Sequence, residues 1–584
     1  MNTQSKLYKI ATLFFLLLFG FLIFLFAVFK IVIDDRKLPA LKISEKNRAI
    51  RGAIVTNDGF NVASSKKLYK ISVNTRCIDP NKKELFVKLF SVYSGMDHNR
   101  IKKVIESKKG NVVLTYAMDP KRANLLRELA KKLYLMDVFI EYESNGKVYK
   151  QGLSVKESGE SRLYPYQDIL TPIVGYVRKY EDEGYTRITG VKGIEKYYEE
   201  KLKPIQDGLI EGYRDIGNNI ILNRESKIKK RVDGFNVHLN IPILLQKTVE
   251  NILDRYKKKL RAKEIIAAVM ESRSGKIIAL ASSNRFDPKN IRKRDYESLN
   301  ASVIEYSFEP GSVMKPITFA LLLENSLVSP YDIIRTYSGR FKLGKKIITD
   351  EHKEEWMSAE NVIVYSSNIG IAQLAQKLSH IQFFQGLKKF GFSRRTEIDL
   401  PYEHTGYIPS LSKFKSEIYK ATIGYGYGMK ATFMQLLKAY NVFNNNGKEV
   451  IPRIASYLSL QDGKQFALPR FSAQKVISIG TAARMNKILV KVVEKGTGRA
   501  AKIEGINIGG KTGTAHIVKK GKYVKSYNSS FFGFANDEKN RYTIGVTVIE
   551  PKKVYFASQT AVPVFKEIVD VLIDQGYLVP MINE

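Results

Sequence analysis

The longest apolar run of this chain lies near its N-terminus. Residues 10–29 carry no charge, and twenty apolar residues are enough to cross a bilayer as a helix. No small-residue cleavage site typical of a secretory signal is evident, so we predict an uncleaved anchor over residues 10–33. Lys6 and Lys9 precede the run, and positive flanks favour the cytoplasmic side of a membrane. The pattern predicts a cytoplasmic tail, residues 1–9, with the remainder of the chain outside the cytoplasm.

Between residues 34 and 233 helical and strand periodicities alternate. A charged stalk comes first, residues 51–55 have the pattern of a strand, and residues 121–135 have that of an amphipathic helix. Turns that flank a short strand are predicted at residues 162–165 and 171–177. No constellation of reactive side chains occurs here, so we predict a non-catalytic domain over residues 34–233.

From residue 234 the strand-like segments are more apolar, and a long helical stretch separates two groups of them. The strands and the closing helix are predicted at residues 237–239, 265–270, 276–281, around Lys511, at 531–534, at 543–549 and at 562–578. Strands at both ends of a helical middle imply one sheet assembled from distant segments. We therefore predict an α+β domain over residues 234–584.

Composition narrows the possible partners. The 584 residues are 44% hydrophobic and 26% charged, which is typical of globular domains, and the net charge is +37. Such a charge favours anionic lipid headgroups or a carboxylate-bearing polymer, and we find no nucleic-acid-binding motif. The lone Cys77 excludes an internal disulfide, and the six histidines have no metal-ligand spacing. We expect neither a metal nor a cofactor.

A candidate nucleophile lies at residues 308–316, Phe-Glu-Pro-Gly-Ser-Val-Met-Lys-Pro, just before the apolar segment 317–323. The pattern predicts a buried helix with reactive side chains in its first turn. Pro316 lies in that turn, where its missing backbone N–H costs the least helix stability. Ser312 and Lys315 are three residues apart, so they share one face of a helix. A desolvated lysine loses part of its preference for the charged form and can accept the proton of a serine hydroxyl.

Two downstream motifs distinguish Ser312 from other serine–lysine pairs with the same spacing. They are Ser366-Ser367-Asn368 and Lys511-Thr512-Gly513-Thr514, and Lys511-Thr512-Gly513 is the only such triplet in the chain. The three motifs in this order characterise penicillin-binding proteins and class A β-lactamases. The sequence therefore predicts an active-site serine enzyme that transfers acyl groups.

The chain closely resembles the class B penicillin-binding proteins. Besides the three motifs, the resemblance rests on the following segments: Arg51-Gly52-Ala53-Ile54, 162–165, 175–177, 193–195, 496–498 and 561–565. It implies an anchored peptidoglycan D,D-transpeptidase with an elongated α+β pedestal of the dimerisation type. The catalytic domain is expected to be an antiparallel sheet with helices on both sides and an all-helical subdomain. Residues 56–59 and 429–433 depart from the family pattern.

The resemblance also implies roles for the motif residues. Ser312 would attack a D-Ala-D-Ala stem peptide, Lys315 would accept its proton, and Ser366 would relay a proton to the leaving group. The backbone amides of Ser312 and Thr514 would hold the oxyanion. The implied catalytic residues are Ser312, Lys315, Ser366 and Lys511, and the implied substrate-binding residues are Asn368, Thr512, Gly513 and Thr514.

Within the family, the division-specific (FtsI-like) branch fits better than the elongation-specific one, which typically has a different segment between the first two motifs. Residues 348–352 and 366–370 resemble the septal type. The expected partners are stem peptides, β-lactams, the bacterial cytoplasmic membrane, a glycosyltransferase and other division proteins. An elongation-type transpeptidase and a largely scaffolding protein remain alternatives. A β-lactamase is disfavoured, because residues 397–401 lack the glutamate arrangement that deacylation requires in class A enzymes.

Overall fold

The computed structural model describes residues 3–33, 42–144, 147–149, 152–215, 220–469, 471–519 and 521–581. The chain divides into two compact units. The first unit contains residues 1–49 and 206–232, and the second contains residues 50–205 and 233–584.

The first unit contains the helix Thr3–Ile33 and a small antiparallel sheet. Within this helix, Lys6–Ile33 is long and apolar enough to cross a membrane, and its apolar side chains are exposed. The helix therefore has the length and composition of a membrane anchor, as the sequence predicts. The strands of the sheet are Lys42–Asn47, Gly208–Arg214, Ile220–Ile221 and Lys227–Lys229.

A long sheet runs through the second unit and contains segments from both sides of residue 234. Asn236–Leu239 pairs in parallel with Ile54–Val55 and antiparallel with Ala455–Ser459. In order, its strands are Gln465–Ala467, Ala455–Ser459, Asn236–Leu239, Ile54–Val55, Asn61–Asn74, Leu153–Leu163, Tyr185–Gly190 and Val177–Asp182, with Asn111–Met118 also paired to Asn61–Asn74. The strands Tyr142–Ser144 and Lys147–Tyr149 form a separate hairpin.

Two predictions for this region need correction. No short strand lies between the turns predicted at 162–165 and 171–177. The strand Leu153–Leu163 ends within the first of these segments, residues 165–173 form turns, and the next strand begins at Val177; positive φ angles of 54° at Gln167 and 65° at Leu170 break the extended backbone. The strand predicted at residues 51–55 contains only Ile54 and Val55. Gly52 instead lies against neighbouring backbone, and a Cβ there would be 2.0 Å from the carbonyl oxygen of Phe235. The helix prediction for residues 121–135 is confirmed by Pro120–Leu135.

The predicted α+β domain contains a sheet of five antiparallel strands drawn from distant segments, as predicted. Their order is Ile277–Ser282, Glu264–Glu271, Arg541–Ile549, Lys522–Asn536 and Asn507–Lys519. One face packs against Ile243–Leu260 and Ala561–Asp574, through residues such as Leu253 and Phe565. The other face packs against the helical middle of the domain. The strand Asn507–Lys519, which we call the K-T-G strand, lies at the edge of this sheet.

The region between the two groups of strands is mainly helical, with four short two-stranded ribbons among its described residues. The ribbons pair 307–308 with 431–432, 333–335 with 356–358, 340–343 with 346–349, and 448–449 with 474–475. The α-helices of the second unit are Lys83–Ser94, His98–Ser107, Pro120–Leu135, Gly193–Tyr197, Glu199–Leu202, Ile243–Leu260, Ser302–Glu305, Lys315–Glu324, Ala359–Val364, Asn368–Leu374, His380–Lys389, Glu417–Gly424, Phe433–Asn444, Ile479–Glu494 and Ala561–Asp574.

Candidate active site

Ser312 lies in a single 3₁₀ turn, Gly311–Met314, that leads directly into the helix Lys315–Glu324. Gly311 has a φ of +61°, which glycine adopts at little cost, and its N–H donates to the carbonyl of Gly426 at 3.0 Å. Residues 315–323 are all buried, whereas Ser312 is half-buried. The predicted buried helix is confirmed, but its α-helical part begins three residues after Ser312.

Lys315 is fully buried beneath this turn and contacts the second motif. Its Nζ donates to the carbonyl oxygen of Ser366 at 2.5 Å and to Ser366 Oγ at 3.1 Å. Burial lowers the pKa of Lys315 to about 7, and Asp350 opposes only part of that shift. At neutral pH a large fraction of Lys315 is therefore uncharged and able to accept a proton.

The backbone of the second motif is held in an uncommon conformation. Ser366 has a φ of +63°, in the left-handed region that serine rarely adopts. The middle residue, Ser367, caps the next helix by accepting from the N–H of Gly370 at 2.8 Å. Because Ser367 is the capping residue, Ser366 is left to present its hydroxyl to Lys315.

Asp350 anchors this motif from below. Its carboxylate accepts hydrogen bonds from the hydroxyl of Ser367, from the N–H of Asn368 at 2.5 Å and from the N–H of Ile369 at 3.1 Å. The side-chain amide of Asn368 donates to the carbonyl of Thr349 at 2.9 Å. A carboxylate at a helix N-terminus is also stabilised by the helix dipole. Asp350 thus fixes the position of the Ser366–Asn368 segment.

The third motif lies on the K-T-G strand, directly against the Ser312 turn. Gly513 makes this approach possible, because a Cβ there would be 2.7 Å from Val313 Cγ1 and 3.2 Å from the carbonyl oxygen of Pro310. Lys511 is fully buried, and its Nζ donates to the carbonyl oxygen of Thr512 at 3.0 Å. Burial, followed by repulsion from Lys315, lowers the pKa of Lys511 well below its usual range.

The two threonines of the third motif have additional partners. Thr512 Oγ1 lies 2.6 Å from Thr497 Oγ1 and accepts from Lys511 Nζ at 3.2 Å. Thr514 Oγ1 accepts from the N–H of Ala557 at 3.2 Å, which leaves the hydroxyl proton of Thr514 to donate elsewhere. The structure therefore brings the Ser312 turn, Lys315, Ser366 and the K-T-G strand into one site.

Three residues at this site had no assigned role in the sequence analysis. Asp350 was used only to distinguish branches of the family, and Thr497 appeared only within the 496–498 segment. Glu309 accepts from the N–H of Gly428 at 2.8 Å and from the hydroxyl of Tyr523 at 3.3 Å, so it supports the segment that precedes Ser312. Its position three residues before the nucleophile was the available signal, but its partners are more than a hundred residues away.

Sequence profiles of two families match the chain. The family described as "Penicillin binding protein transpeptidase domain" matches residues 265–570, and "Penicillin-binding Protein dimerisation domain" matches residues 46–239.

The relatives share both regions. The penicillin-binding protein PbpB of Mycolicibacterium smegmatis is 29% identical over 501 residues, covering 83% of this chain and 72% of the relative. Stage V sporulation protein D of Bacillus subtilis is 27% identical, covering 94% and 84%. The peptidoglycan D,D-transpeptidase FtsI of Buchnera aphidicola is 26% identical, covering 89% and 85%.

Solved structures share the fold. Penicillin-binding protein 2X of Streptococcus thermophilus superposes with a TM-score of 0.76 at 19% identity, covering 92% of this chain and 81% of that structure. Penicillin-binding protein 3 of Mycobacterium tuberculosis, complexed with aztreonam, superposes with a TM-score of 0.66 at 23% identity, covering 92% of this chain and 98% of that structure. Because the transpeptidase profile spans more than half of the sequence, the chain belongs to the penicillin-binding protein transpeptidase family, in the class B form that pairs this domain with a dimerisation domain.

Proposed function

We propose that the chain is a peptidoglycan D,D-transpeptidase that crosslinks stem peptides through an acyl-enzyme on Ser312. The observation that carries this proposal is the hydrogen bonding of the buried, weakly basic Lys315 to Ser366, directly beneath the Ser312 turn. Relatives named as peptidoglycan D,D-transpeptidases support the same reaction.

In the first half-reaction Ser312 Oγ attacks the carbonyl carbon of the penultimate D-Ala, and Lys315 Nζ accepts the hydroxyl proton. The amide bond then breaks, and the proton passes from Lys315 through Ser366 Oγ to the nitrogen of the departing D-Ala. The hydrogen bond between Lys315 and Ser366 provides this route. An ester joins Ser312 to the shortened stem peptide.

In the second half-reaction an amine from a neighbouring stem peptide attacks this ester. The amine nitrogen bonds to the ester carbonyl carbon and gives a proton to Lys315. The bond between that carbon and Ser312 Oγ then breaks, and Lys315 returns the proton to Ser312 Oγ. Both tetrahedral intermediates carry an oxyanion, for which we propose the backbone amides of Ser312 and Thr514 as donors. A preorganised donor of this kind is worth roughly 10²–10³ in rate.

The donor peptide would bind along the free edge of the K-T-G strand. An edge strand offers unpaired backbone groups to an extended peptide, and Gly513 keeps this edge close to Ser312. The hydroxyls of Thr512 and Thr514 would receive the terminal carboxylate, and Asn368 would hold a substrate amide. The arriving carboxylate favours protonation of Lys511, whose pKa is depressed in the free site.

Synthetic donor and acceptor peptides test this reaction directly. With a donor stem peptide and a labelled acceptor amine, the wild-type chain should release D-Ala and form a crosslinked product in matched amounts, and Ser312→Ala should form neither. Release of D-Ala without crosslinked product would indicate a carboxypeptidase or β-lactamase-like hydrolase. Absence of both with folded wild-type protein would favour a scaffold.

We further propose that the enzyme acts in septal wall synthesis, anchored by its N-terminal helix with the catalytic domain on the outer side of the cytoplasmic membrane. The pattern at residues 348–352 and 366–370 and the FtsI relative support a septal role. The chain would then work with a membrane glycosyltransferase and other division proteins. Depletion in the native cell should produce filaments, whereas rounded cells would favour the elongation-type alternative.

A further inference from the structure

A cleft of about 780 Å³ opens in the catalytic domain away from Ser312. It lies between the turn 272–276 of the five-stranded sheet and residues 450–469. Strand pairing places Lys511 level with Ala268, three strands away in the sheet. Glu271 lies on the same strand as Ala268, three residues closer to the turn. At about 4.8 Å between strands and 3.4 Å per residue, Lys511 and Glu271 are separated by roughly 18 Å. The cleft is therefore distinct from the reaction site.

Three cationic side chains line this cleft, those of Arg273, Lys276 and Arg453. None of the described residues that line it is an aspartate or a glutamate, and the carboxylate of Glu271 beside the cleft accepts from the hydroxyl of Ser274. Backbone pairing fixes two of the cations side by side, because Lys276 and Arg453 form a parallel bridge. The N–H of Arg453 donates to the carbonyl of Gly275 at 2.8 Å, and the N–H of Ile277 donates to the carbonyl of Arg453 at 2.8 Å.

Like charges held together without a lining carboxylate repel one another. That repulsion is relieved when an anion binds between them, so a group of cations in a concave surface favours an anionic ligand. The wall-facing location that we propose for this domain makes anionic wall polymers available to it.

The guanidinium of Arg453 is already oriented for such a ligand. It lies 4.7 Å from the ring centroid of Phe471, and its NH2 group donates to the carbonyl of Pro469 at 3.2 Å. Stacking and this hydrogen bond restrict the side chain, while other guanidinium N–H groups remain to be donated. A planar guanidinium binds carboxylate or phosphate through two parallel hydrogen bonds.

Neutral polar groups of the same cleft suit a saccharide. Ser456 and Gln465 supply hydroxyl and amide groups along its wall. Tyr457 adds an aromatic ring, which is held in place by stacking on His238 with ring centroids 4.2 Å apart. Hydroxyl and amide groups beside an aromatic ring provide hydrogen bonds for sugar hydroxyls and an apolar surface for a sugar ring.

We infer that this cleft binds an anionic glycan, with carboxylate or phosphate groups on Arg273, Lys276 and Arg453 and a saccharide unit against the neutral wall. Two polymers have this chemistry, a peptidoglycan strand with its stem-peptide carboxylates and a phosphate-bearing wall polymer. The availability of both polymers rests on the proposed location of the domain outside the cytoplasmic membrane, and the peptidoglycan strand rests also on the proposed reaction.

Binding is tested on the full chain in detergent, with dye-labelled probes and fluorescence anisotropy. The probes are an uncrosslinked, peptide-bearing peptidoglycan oligomer and a glucosylated poly(glycerol phosphate). Ser312 is first acylated with penicillin, so that stem peptides cannot occupy the reaction site. Mass spectrometry reports this adduct separately, so failure of the proposed function appears as a missing adduct while binding of the phosphate polymer is still measured.

The test variant is Arg273→Gln/Lys276→Gln/Arg453→Gln. The matched control, Lys247→Gln/Lys258→Gln/Lys539→Gln, removes three exposed positive charges elsewhere in the domain. We expect at least tenfold weaker binding of one or both probes by the cleft variant and less than a twofold change in the control. The probe whose binding weakens in the cleft variant identifies which polymer supplies the ligand.

A second variant, Arg273→Glu/Lys276→Glu, guards against misfolding, because both side chains are exposed on a turn and Arg453 is retained. It should also weaken binding at least tenfold while preserving the rate of Ser312 acylation. Equal losses in the cleft and control variants, or no binding of either probe by the wild-type chain, would overturn the inference.

Discussion

The Nζ atom of Lys315 lies 2.5 Å from the carbonyl oxygen and 3.1 Å from the hydroxyl oxygen of Ser366, and Lys315 is fully buried. A buried ammonium is costly unless it is paired with an opposite charge, and here both contacts are to neutral oxygens. This relationship explains why the pKa of Lys315 falls to about 7 and why the site can use a lysine as a base.

Acylation of Ser312 should depend on pH through Lys315. Burial lowers the pKa of Lys315 to about 7, and only its uncharged form accepts the serine proton. The second-order rate constant for penicillin acylation should therefore rise from pH 5.5, reach half its plateau near pH 7, and level off above pH 8. Lys315→Arg, which stays protonated, should lose at least 10³-fold at every pH. A flat profile in the wild-type chain would contradict the assignment of Lys315 as the base.

Asp350→Asn should change both the pH of the acid limb and the plateau rate in the pH profile of Ser312 acylation. The negative charge of Asp350 raises the pKa of Lys315, so its removal should move the acid limb to lower pH. Loss of the anchoring carboxylate should also reduce the plateau rate by about 10- to 100-fold, because the Ser366–Asn368 segment loses charge-assisted hydrogen bonds. Stopped-flow acylation across the same pH range measures both effects. If the plateau rate falls but the acid limb stays at the same pH, the role of Asp350 is purely structural.

Gly513→Ala should slow acylation by moving the K-T-G strand away from the Ser312 turn. Its Cβ would be 2.7 Å from Val313 Cγ1, closer than real Cβ contacts allow. We expect at least a tenfold loss, with partial recovery in Gly513→Ala/Val313→Ala. Gly480→Ala is the matched control, because no atom lies within 4 Å of its Cβ position. The acylation rates of the three variants are compared with that of the wild-type chain. A wild-type rate in Gly513→Ala would contradict the proposed packing.

Replacement of the buried lysines should stabilise the fold while abolishing activity. A base whose folded-state pKa is depressed binds fewer protons in the folded than in the unfolded state, so it destabilises the fold below its unfolded pKa. Lys315→Met and Lys511→Met remove buried cations with lowered pKa values and should raise the midpoint of thermal unfolding by several degrees at pH 6. The gain should shrink toward pH 10. Calorimetry at both pH values provides the measurement, and a lower midpoint in both variants would show that the hydrogen bonds outweigh desolvation.

The region that matches the dimerisation-domain profile contains a buried ionic cluster. Glu195 is fully buried and accepts from Arg51 at 2.8 Å and from Arg162 at 2.6 Å. Glu195→Ala leaves two buried guanidinium groups without this partner and should destabilise the fold by about 3–5 kcal/mol. Thermal unfolding of the full chain measures this loss. Glu200→Ala, at an exposed carboxylate, should have little effect, and equal losses in both would contradict the importance of burial.

The sequence predicted the architecture of the catalytic domain well, because its strands are apolar and its three motifs are separated by long helical segments. The short strand predicted between the turns at 162–165 and 171–177 is absent, because residues such as Leu170 adopt positive φ angles that leave no hydrophobic pattern. The roles of Asp350 and Glu309 were missed because each depends on contacts made across the fold. Local spacing could indicate that Ser312 and Lys315 share a face, but only tertiary structure shows that Ser366 receives the hydrogen bond from Lys315.

The timed reaction of the full chain with a fluorescent penicillin tests the central claim most directly, when mass spectrometry locates and follows the adduct. The account predicts a stoichiometric adduct on Ser312 that persists for many minutes and is absent from Ser312→Ala. Rapid clearance of the adduct would indicate a β-lactamase, and no adduct on folded wild-type protein would contradict the acyl-enzyme on Ser312.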